Sequence, residues 1–236
     1  MNQPVAAAVD FSDDSVWIVI PAFNEARRIL NVIDGVLPLY KNIVVVDDGS
    51  RDDTYEVLRQ RPVARLRHLF NCGQGAALQT GIQYALSRGA QAIVTFDADG
   101  QHQARDIAEL LAPLREGAAD VVLGSRFLGQ AENIPWTRRL VLKLGVLFTR
   151  VVSRVPVTDT HNGIRAFTRR AAAALRIHEN RMAHASEIID QIRIHGWRLI
   201  EAPVTIRYTD DSLAKGQTSL AAVKITFSFL MGRMIR

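Results

Sequence analysis

Asp97 and Asp99 stand one residue apart at the end of an apolar, β-branched run, Ala92-Ile93-Val94-Thr95-Phe96, and are followed by Gly100, Gln101 and His102. Such a run reads as a buried strand. In an open α/β sheet, ligands bind beyond the carboxyl ends of the strands. Two carboxylates there, with the amide of Gln101, offer hard oxygen ligands to Mg²⁺ or Mn²⁺, and such an ion usually also holds a substrate phosphate. His102 and His161 are the histidines that can join it, His102 being the better placed of the two. Asp and Gly are also ordinary turn residues, so the reading depends on what the other strand ends carry.

Three of them carry polar signatures. Pro21-Ala22-Phe23-Asn24-Glu25 closes a first strand, where main-chain groups and the Phe23 ring can bracket a base. Asp47-Asp48-Gly49-Ser50 closes a second, where a carboxylate can accept from ribose hydroxyls or a base N–H. The alternative there is a turn feeding a helix cap, which Ser50 and Asp52 would serve. Gly124-Ser125-Arg126 closes a further strand with a guanidinium suited to a phosphate. In a parallel sheet these ends converge on one edge. Asn71-Cys72-Gly73-Gln74-Gly75-Ala76-Ala77 can bring a helix N-terminus close to a phosphate, although the acidic partner of a dinucleotide fingerprint is missing. Asp159 to Phe167, which includes Asn162, is a polar turn before an apolar step. Glu187 and Asp190 lie on a helix beginning near His184; they can act as a base, orient a sugar hydroxyl, or simply face solvent. Arg207-Tyr208 and Lys215-Gly216 follow a strand pair near Leu199 to Ile206 and can cover phosphates as a flap.

The elements that must position these residues alternate. Strands are expected at Val16–Ile20 (stopped by Pro21), Ile43–Val46, Ala64–Leu69, Gln91–Phe96 and Asp120–Leu123. Helices are expected after Asn24, which would cap the first, and at Asp53–Gln60, Gly73–Ser87 and Ala104–Arg115. That alternation implies βαβ units and a mostly parallel sheet in one domain. Residues 1–15 read as a disordered leader. Pro135 to Arg154 reads as a helix on which Arg139, Lys143, Arg150 and Arg154 fall within about 60° of arc, the remainder being largely apolar. Such a helix can lie in a membrane interface or pack on the sheet with a solvated basic edge. Leu220 to Arg236 has a similar character.

The bulk numbers are compatible with this. At 236 residues, 48% hydrophobic and 22% charged, the chain suits a soluble α/β domain with a full core. Its net charge of +5 suits an acidic partner: nucleotide, nucleic acid or anionic membrane. The single Cys72 excludes an intramolecular disulfide. No apolar run reaches the length of about 18 residues expected of a transmembrane helix.

Taken in order and at their spacing over residues 16–126, Pro21 to Glu25, Val46 to Ser50, Asn71 with Gly73-x-Gly75-x-Ala77, Asp97 to His102 and Gly124 to Arg126 resemble the family 2 glycosyltransferases. Asp97-x-Asp99-x-Gln101 and the Asp159–Phe167 segment are similar to the dolichyl-phosphate mannose synthase branch, whose members move a sugar from a nucleotide donor to a polyprenyl phosphate. The chain departs from the processive synthases, lacking their Gln-x-x-Arg-Trp motif. The resemblance implies a single GT-A-type, Rossmann-like α/β domain, with a donor half at 16–126, an acceptor half at 127–215 and an amphipathic helix at 216–236. It implies that Pro21, Ala22, Phe23, Glu25, Asp47, Asp48, Gly75, Asp97 and Ala98 hold the nucleotide. Asp99 and Gln101 would ligate Mg²⁺ or Mn²⁺. Arg126, Asn162, Arg207 and Lys215 would hold diphosphate or acceptor phosphate. Transfer would invert the anomeric carbon, with Asp97, Asp99 and Arg126 at the reacting centre. Glu187 becomes the candidate base if the acceptor is a hydroxyl. The implied partners are a nucleotide-diphosphate sugar, a polyprenyl phosphate and the inner face of the cytoplasmic membrane, bound peripherally. A membrane protein or a second copy of the chain is a further candidate; nucleic acid is not. Competing readings are a hydroxyl-acceptor transferase on the same fold, a phosphohydrolase with Asp97 as nucleophile, and a non-catalytic membrane-surface module.

Overall fold

The computed structural model describes residues 11–132, 142, 145–146, 155–160, 162–180 and 183–208. Among these, strands β1 (Val16–Ala22), β2 (Asn42–Asp47), β3 (Ala64–Arg67), β4 (Ala92–Thr95), β5 (Val121–Glu132), β6 (Arg165–Thr168) and β7 (Leu199–Arg207) form one sheet in the order β3-β2-β1-β4-β6-β5-β7. β6 pairs antiparallel with β4 and β5; every other pairing is parallel. The helices are α1 (Ile29–Val36), α2 (Thr54–Val57), α3 (Gln74–Ser87), α4 (Ile107–Arg115), α5 (Arg169–Ala174) and α6 (His184–His195).

Both faces of the sheet are covered, which explains why its strands read as unbroken apolar runs. Side chains alternate along a strand. Val16, Ile18 and Ile20 therefore join Ile29, Ile33, Leu110 and Leu111 of α1 and α4 in one core. Val19, Val44 and Ile93 join Leu78 and Ile82 of α3 and Ile188 and Ile192 of α6 in the other.

Several boundaries differ from expectation, each for a local reason. Pro21 does not stop β1. The β4 ladder ends at the Val19–Thr95 pair, with Phe96 N donating to Val19 O, so the N–H that proline lacks would point to the side where no ladder remains. Asn24 does not cap α1, which begins only at Ile29. It sits at φ 55°, and its Oδ1 accepts from Arg51 N, tying the β1 and β2 loops together. β5 does not end at Leu123 but runs on to Glu132. The Asp159–Phe167 segment delivers the reversed strand β6 rather than only a turn, and Leu199–Arg207 is one strand, not two. Phe11 is buried and Asp13–Ser15 forms a 3₁₀ turn, so the folded body starts before residue 16. The expected basic helix at 135–154 and the C-terminal helix at 216–236 lie largely or wholly outside the described residues, as do His161 and Lys215.

One ion-pair knot sits away from the site. Asp120 is buried, accepts from Arg198 N at 3.0 Å and Arg198 Nε at 3.1 Å, and takes Arg170 Nη2 at 2.6 Å. Burial disfavours its charge, but these donors more than offset that and hold its pKa at about 2 against an ordinary 3.8. A depressed carboxylate stabilises the fold above the unfolded pKa and loses that contribution as pH falls through the folded one. The shift corresponds to about 2 kcal/mol. Asp120→Asn is expected to cost roughly that in urea unfolding at pH 7, with the deficit shrinking as the pH is taken down toward 2.

Candidate active site

The sheet order puts β1 between β2 and β4, all three parallel, so their carboxyl ends form one rim. Phe23, Asp47, Asp97 and Asp99 share it. Phe23 is 41% exposed despite its size, leaving a ring face open beside the β2 end. Asp47 is fully buried: Oδ1 accepts from Ser50 N at 3.1 Å, and Oδ2, 3.2 Å from Arg67 Nε, makes no hydrogen bond. Glu25 pairs with Arg28 at 2.9 Å. Ala22 O accepts from Asp48 N, and Ala98 packs into the core, so both offer a ligand main chain at most.

Asp97 and Asp99 are held differently. Asp97 is clamped: Gln74 Nε2 donates to Oδ1 at 2.9 Å, and His102 Nε2 meets Oδ2 at 3.1 Å. Behind it stands Gly163, where a Cβ would fall 1.9 Å from Oδ2. Gly163 is itself pinned by Thr95 Oγ1, which donates to its carbonyl at 2.7 Å. Burial works against charge on Asp97, but the His102 hydrogen bond and charge, followed by Arg165 and His184, hold its carboxyl below the usual range. Asp99 is pushed the other way, first by burial and then by the charge of Asp97. Its Oδ1 accepts from Gln101 N at 3.0 Å. Oδ2 and the Gln101 side chain make no hydrogen bond to the described residues, and both are partly exposed. A carboxylate oxygen and an amide oxygen left unengaged, beside a second acid, fit a hard divalent cation. His102 is not available to such an ion through Nε2, which is spent on Asp97.

Arg126 is not at a strand end. The β5–β7 register slips from Ser125–Pro203 to Gln130–Thr205, so residues 126–129 of β5 bulge opposite residue 204. Bulges re-aim side chains. Arg126 turns inward, 7% exposed, where its N and Nε donate to Asp159 Oδ2 at 3.1 and 2.6 Å and Nη1 donates to Tyr208 Oη. Arg207, at the same end of β7, pairs with Glu132 at 2.9 Å, and its N donates to Gln101 O. Asn162 is buried, with Oδ1 accepting from Ile164 N and Nδ2 without a partner.

Three expected ligand residues have other work. Asp48 is buried and accepts from Cys72 N (2.9 Å) and His68 Nδ1 (2.7 Å) on one oxygen, and from Gly73 N (2.6 Å) and Asn71 Nδ2 (2.9 Å) on the other. The glycine-rich turn thus receives the chain's own carboxylate, not a phosphate. Asp48, His68 and Cys72 lie close enough to share a metal, but the Asp48 oxygens are saturated, so the cluster is a hydrogen-bond hub. Gly75 is small because α3 meets residues 179–180: a Cβ would lie 2.1 Å from Glu179 O, and its N donates to Asn180 O. Glu187 accepts from His178 N and Glu179 N, bracing that same loop. Conversely, Gln74, Gly163 and Arg165 surround Asp97 without having been singled out, and His102, expected as a metal ligand, holds Asp97 instead. Gln74 was visible inside the glycine-rich motif; Arg165 carried no signal beyond its place in an apolar step.

Comparison with known proteins identifies the family and the fold. The glycosyl transferase family 2 model matches residues 17–176. The chain is 33% identical to a UDP-N-acetylglucosamine–dolichyl-phosphate N-acetylglucosaminyltransferase of Methanococcus voltae, over 94% of this chain and 98% of that one. It is 29% identical to an undecaprenyl-phosphate mannosyltransferase of Micrococcus luteus, over 89% and 92%. Among solved structures, glucosyl-3-phosphoglycerate synthase of Mycobacterium tuberculosis, in complex with Mn²⁺, UDP and glucosyl-3-phosphoglycerate, superposes with a TM-score of 0.71 at 16% identity, covering 91% of this chain and 77% of that one. That likeness is one of fold. Sequence and fold together place the chain in glycosyl transferase family 2.

Proposed function

We propose that this glycosyltransferase moves a sugar from a nucleotide-diphosphate sugar to a polyprenyl phosphate at a membrane surface, with a divalent cation and inversion at the anomeric carbon. The observation that carries it is the pairing of an open cation-binding edge (Asp99 Oδ2 and Gln101) with a bulge-held arginine, Arg126, across the reversed strand β6. One side suits a donor diphosphate and the other an acceptor phosphate. Similarity to relatives named for polyprenyl-phosphate acceptors supports the acceptor class.

In this reading residues 16–126 serve the donor and 127–215 the acceptor, with 216–236 as an interfacial helix. Asp47 and Phe23, with main chain from Pro21 and Ala22 and the nearby Glu25, hold the nucleoside, and Asp97 orients the sugar end of the donor. Asp99 and Gln101 hold Mg²⁺ or Mn²⁺, which when bound neutralises charge on the departing nucleotide. Arg126, with Asn162 and Arg207, presents the acceptor phosphate. That phosphate is already ionised, so its oxygen attacks the anomeric carbon without a base. The carbon–oxygen bond to the diphosphate breaks, and its electron pair leaves with the nucleotide. The engagement of Glu187 by backbone donors supports a phosphate over a hydroxyl acceptor, because the carboxylate proposed as base for the latter is already occupied. No helix among the described residues is long and apolar enough to cross a membrane; in this reading the chain attaches peripherally to the cytoplasmic face.

The test supplies radiolabelled nucleotide sugars with an undecaprenyl or dolichyl phosphate in detergent. Label extracting into organic solvent supports the reading; label remaining only in water-soluble product with a hydroxyl acceptor sinks it. Within the same assay, Arg126→Gln is expected to raise KM for the lipid phosphate about tenfold or more while leaving KM for the donor within about twofold, given the energy of a charge-assisted bond.

A further inference from the structure

The mechanism above leaves one buried charge without employment. Arg165 lies on β6 opposite Thr95 of β4 and Leu123 of β5, in the strand that reverses between the donor and acceptor sides. It is 4% exposed, and its Nη1 has no hydrogen-bond partner among the described residues. No carboxylate of the described residues lies within ion-pair distance of it. Burying an unpaired guanidinium is costly. Burial pushes its pKa down to about 10, while the nearby charges of Asp97 and then Asp159 work the other way. Asp159 is already engaged by Arg126. The anion left for Arg165 to balance is therefore Asp97, whose oxygens are taken by Gln74 and His102, so the balance acts through the field and not through contact.

A fixed cation beside two carboxylates has a definite consequence for a mobile one. It lowers the attraction of the acidic pair for a divalent ion, and it raises the attraction of the same rim for a diphosphate. We infer that Arg165 is a positioning residue that weakens binding of the bare metal ion at Asp99 and Gln101, beside Asp97, so that stable metal binding requires the donor diphosphate to arrive with it. The inference rests on the proposed placement of the cation at Asp99 and Gln101. It makes Arg165 a device for releasing the ion with the spent nucleotide rather than retaining it.

The sign of the effect separates this role from a structural one. A disturbed site binds everything more weakly, whereas a site relieved of a repelling charge binds the bare ion more tightly. A unit charge acting on a divalent ion across about 8 Å of water-like dielectric changes its affinity about fivefold, and a buried charge acts more strongly. Calorimetry with Mn²⁺ alone, and with pyrophosphate in the presence and absence of Mn²⁺, reads both quantities. Arg165→Met is expected to bind Mn²⁺ alone at least about fivefold more tightly and metal-free pyrophosphate more weakly. Arg165→Lys, which keeps the charge, is expected to stay within about twofold of the parent on both. A folded Arg165→Met with unchanged or weaker Mn²⁺ binding overturns the inference. Arg165→Gln carries the same comparison if the methionine variant does not fold; failure of both neutral variants with a folded lysine variant also overturns it, since the charge would then serve the fold. Asp99→Asn separates the two readings. If it binds Mn²⁺ like the parent, the cation site itself is misplaced; if it loses Mn²⁺ while Arg165→Met leaves binding unchanged, the fault lies with Arg165 alone.

Discussion

Asp99→Ala is expected to lower sugar transfer about 1,000-fold or more in kcat/KM, a loss of about 4 kcal/mol of transition-state stabilisation. The size follows from what Asp99 does not do. Its one hydrogen bond among the described residues is the local turn from Gln101 N, and its second oxygen accepts none from them. Burial and the neighbouring charge of Asp97 make its carboxylate a strained anion that a cation would relieve. Under the proposed assignment, removing it takes away a ligand for the ion that would neutralise the departing diphosphate, and leaves the sheet intact. A melting temperature within about 2 °C of the parent, with calorimetric Mn²⁺ binding in the presence of pyrophosphate lost, is the accompanying result. Substantial transfer by a well-folded Asp99→Ala enzyme at ordinary Mg²⁺ or Mn²⁺ concentrations would show that the cation, if there is one, is held elsewhere.

Gly163→Ala is expected to cost about 100-fold or more, although it adds a single methyl and touches no substrate. The new Cβ would stand 1.9 Å from Asp97 Oδ2 and 2.4 Å from Oδ1. Backing away is obstructed on the other side, since the Gly163 carbonyl is tethered to Thr95 Oγ1 inside β4. The carboxylate must therefore swing off His102 and Gln74. A misplacement of about 1 Å in a positioned group commonly costs about 100-fold in rate. The distinguishing measurement is the pair Gly163→Ala and Gly163→Ala/Thr95→Ala. Freeing the carbonyl should restore part of the lost rate if the clash is the cause. A single variant as active as the parent would show that Asp97 is not held in the way described.

The parallel sheet and the gathering of strand ends at one rim were legible in the sequence because both rest on short-range patterns. Apolar runs that stop at acids read as strands whose ends carry polar chemistry, and βαβ alternation orders them. What was not legible depended on direction or on distant partners. Asp47 and Asp48 are neighbours with opposite fates. Both are buried, but successive side chains at a strand end point to opposite sides, and only the position of the 71–73 turn shows that Asp48 is the one whose oxygens are saturated. Gly75 and Glu187 looked like ligands because their types suit phosphate and proton transfer; both in fact serve the loop around residues 178–180, more than 100 residues from Gly75. The reversal of β6 had no signature in Arg165-Ala166-Phe167-Thr168, since so short a strand carries no arrow. Arg126 was expected to clamp from a strand end, and the bulge that aims it depends on the slip of β5 against β7.

The stitching of β7 to the acidic loop sets where this enzyme can flex. Arg207 N is tied to Gln101 O, His102 bridges Ile206, and Tyr208 N is bonded to Glu132 O while its hydroxyl receives Arg126. The chain is thus fastened to the acidic loop and β5 at four points up to residue 208. In the proposed reading, a lipid phosphate can then enter or depart without loosening the loop that would hold the donor. Amide hydrogen exchange at Arg207 should accordingly be as slow as in the β1 interior, and should not quicken during turnover.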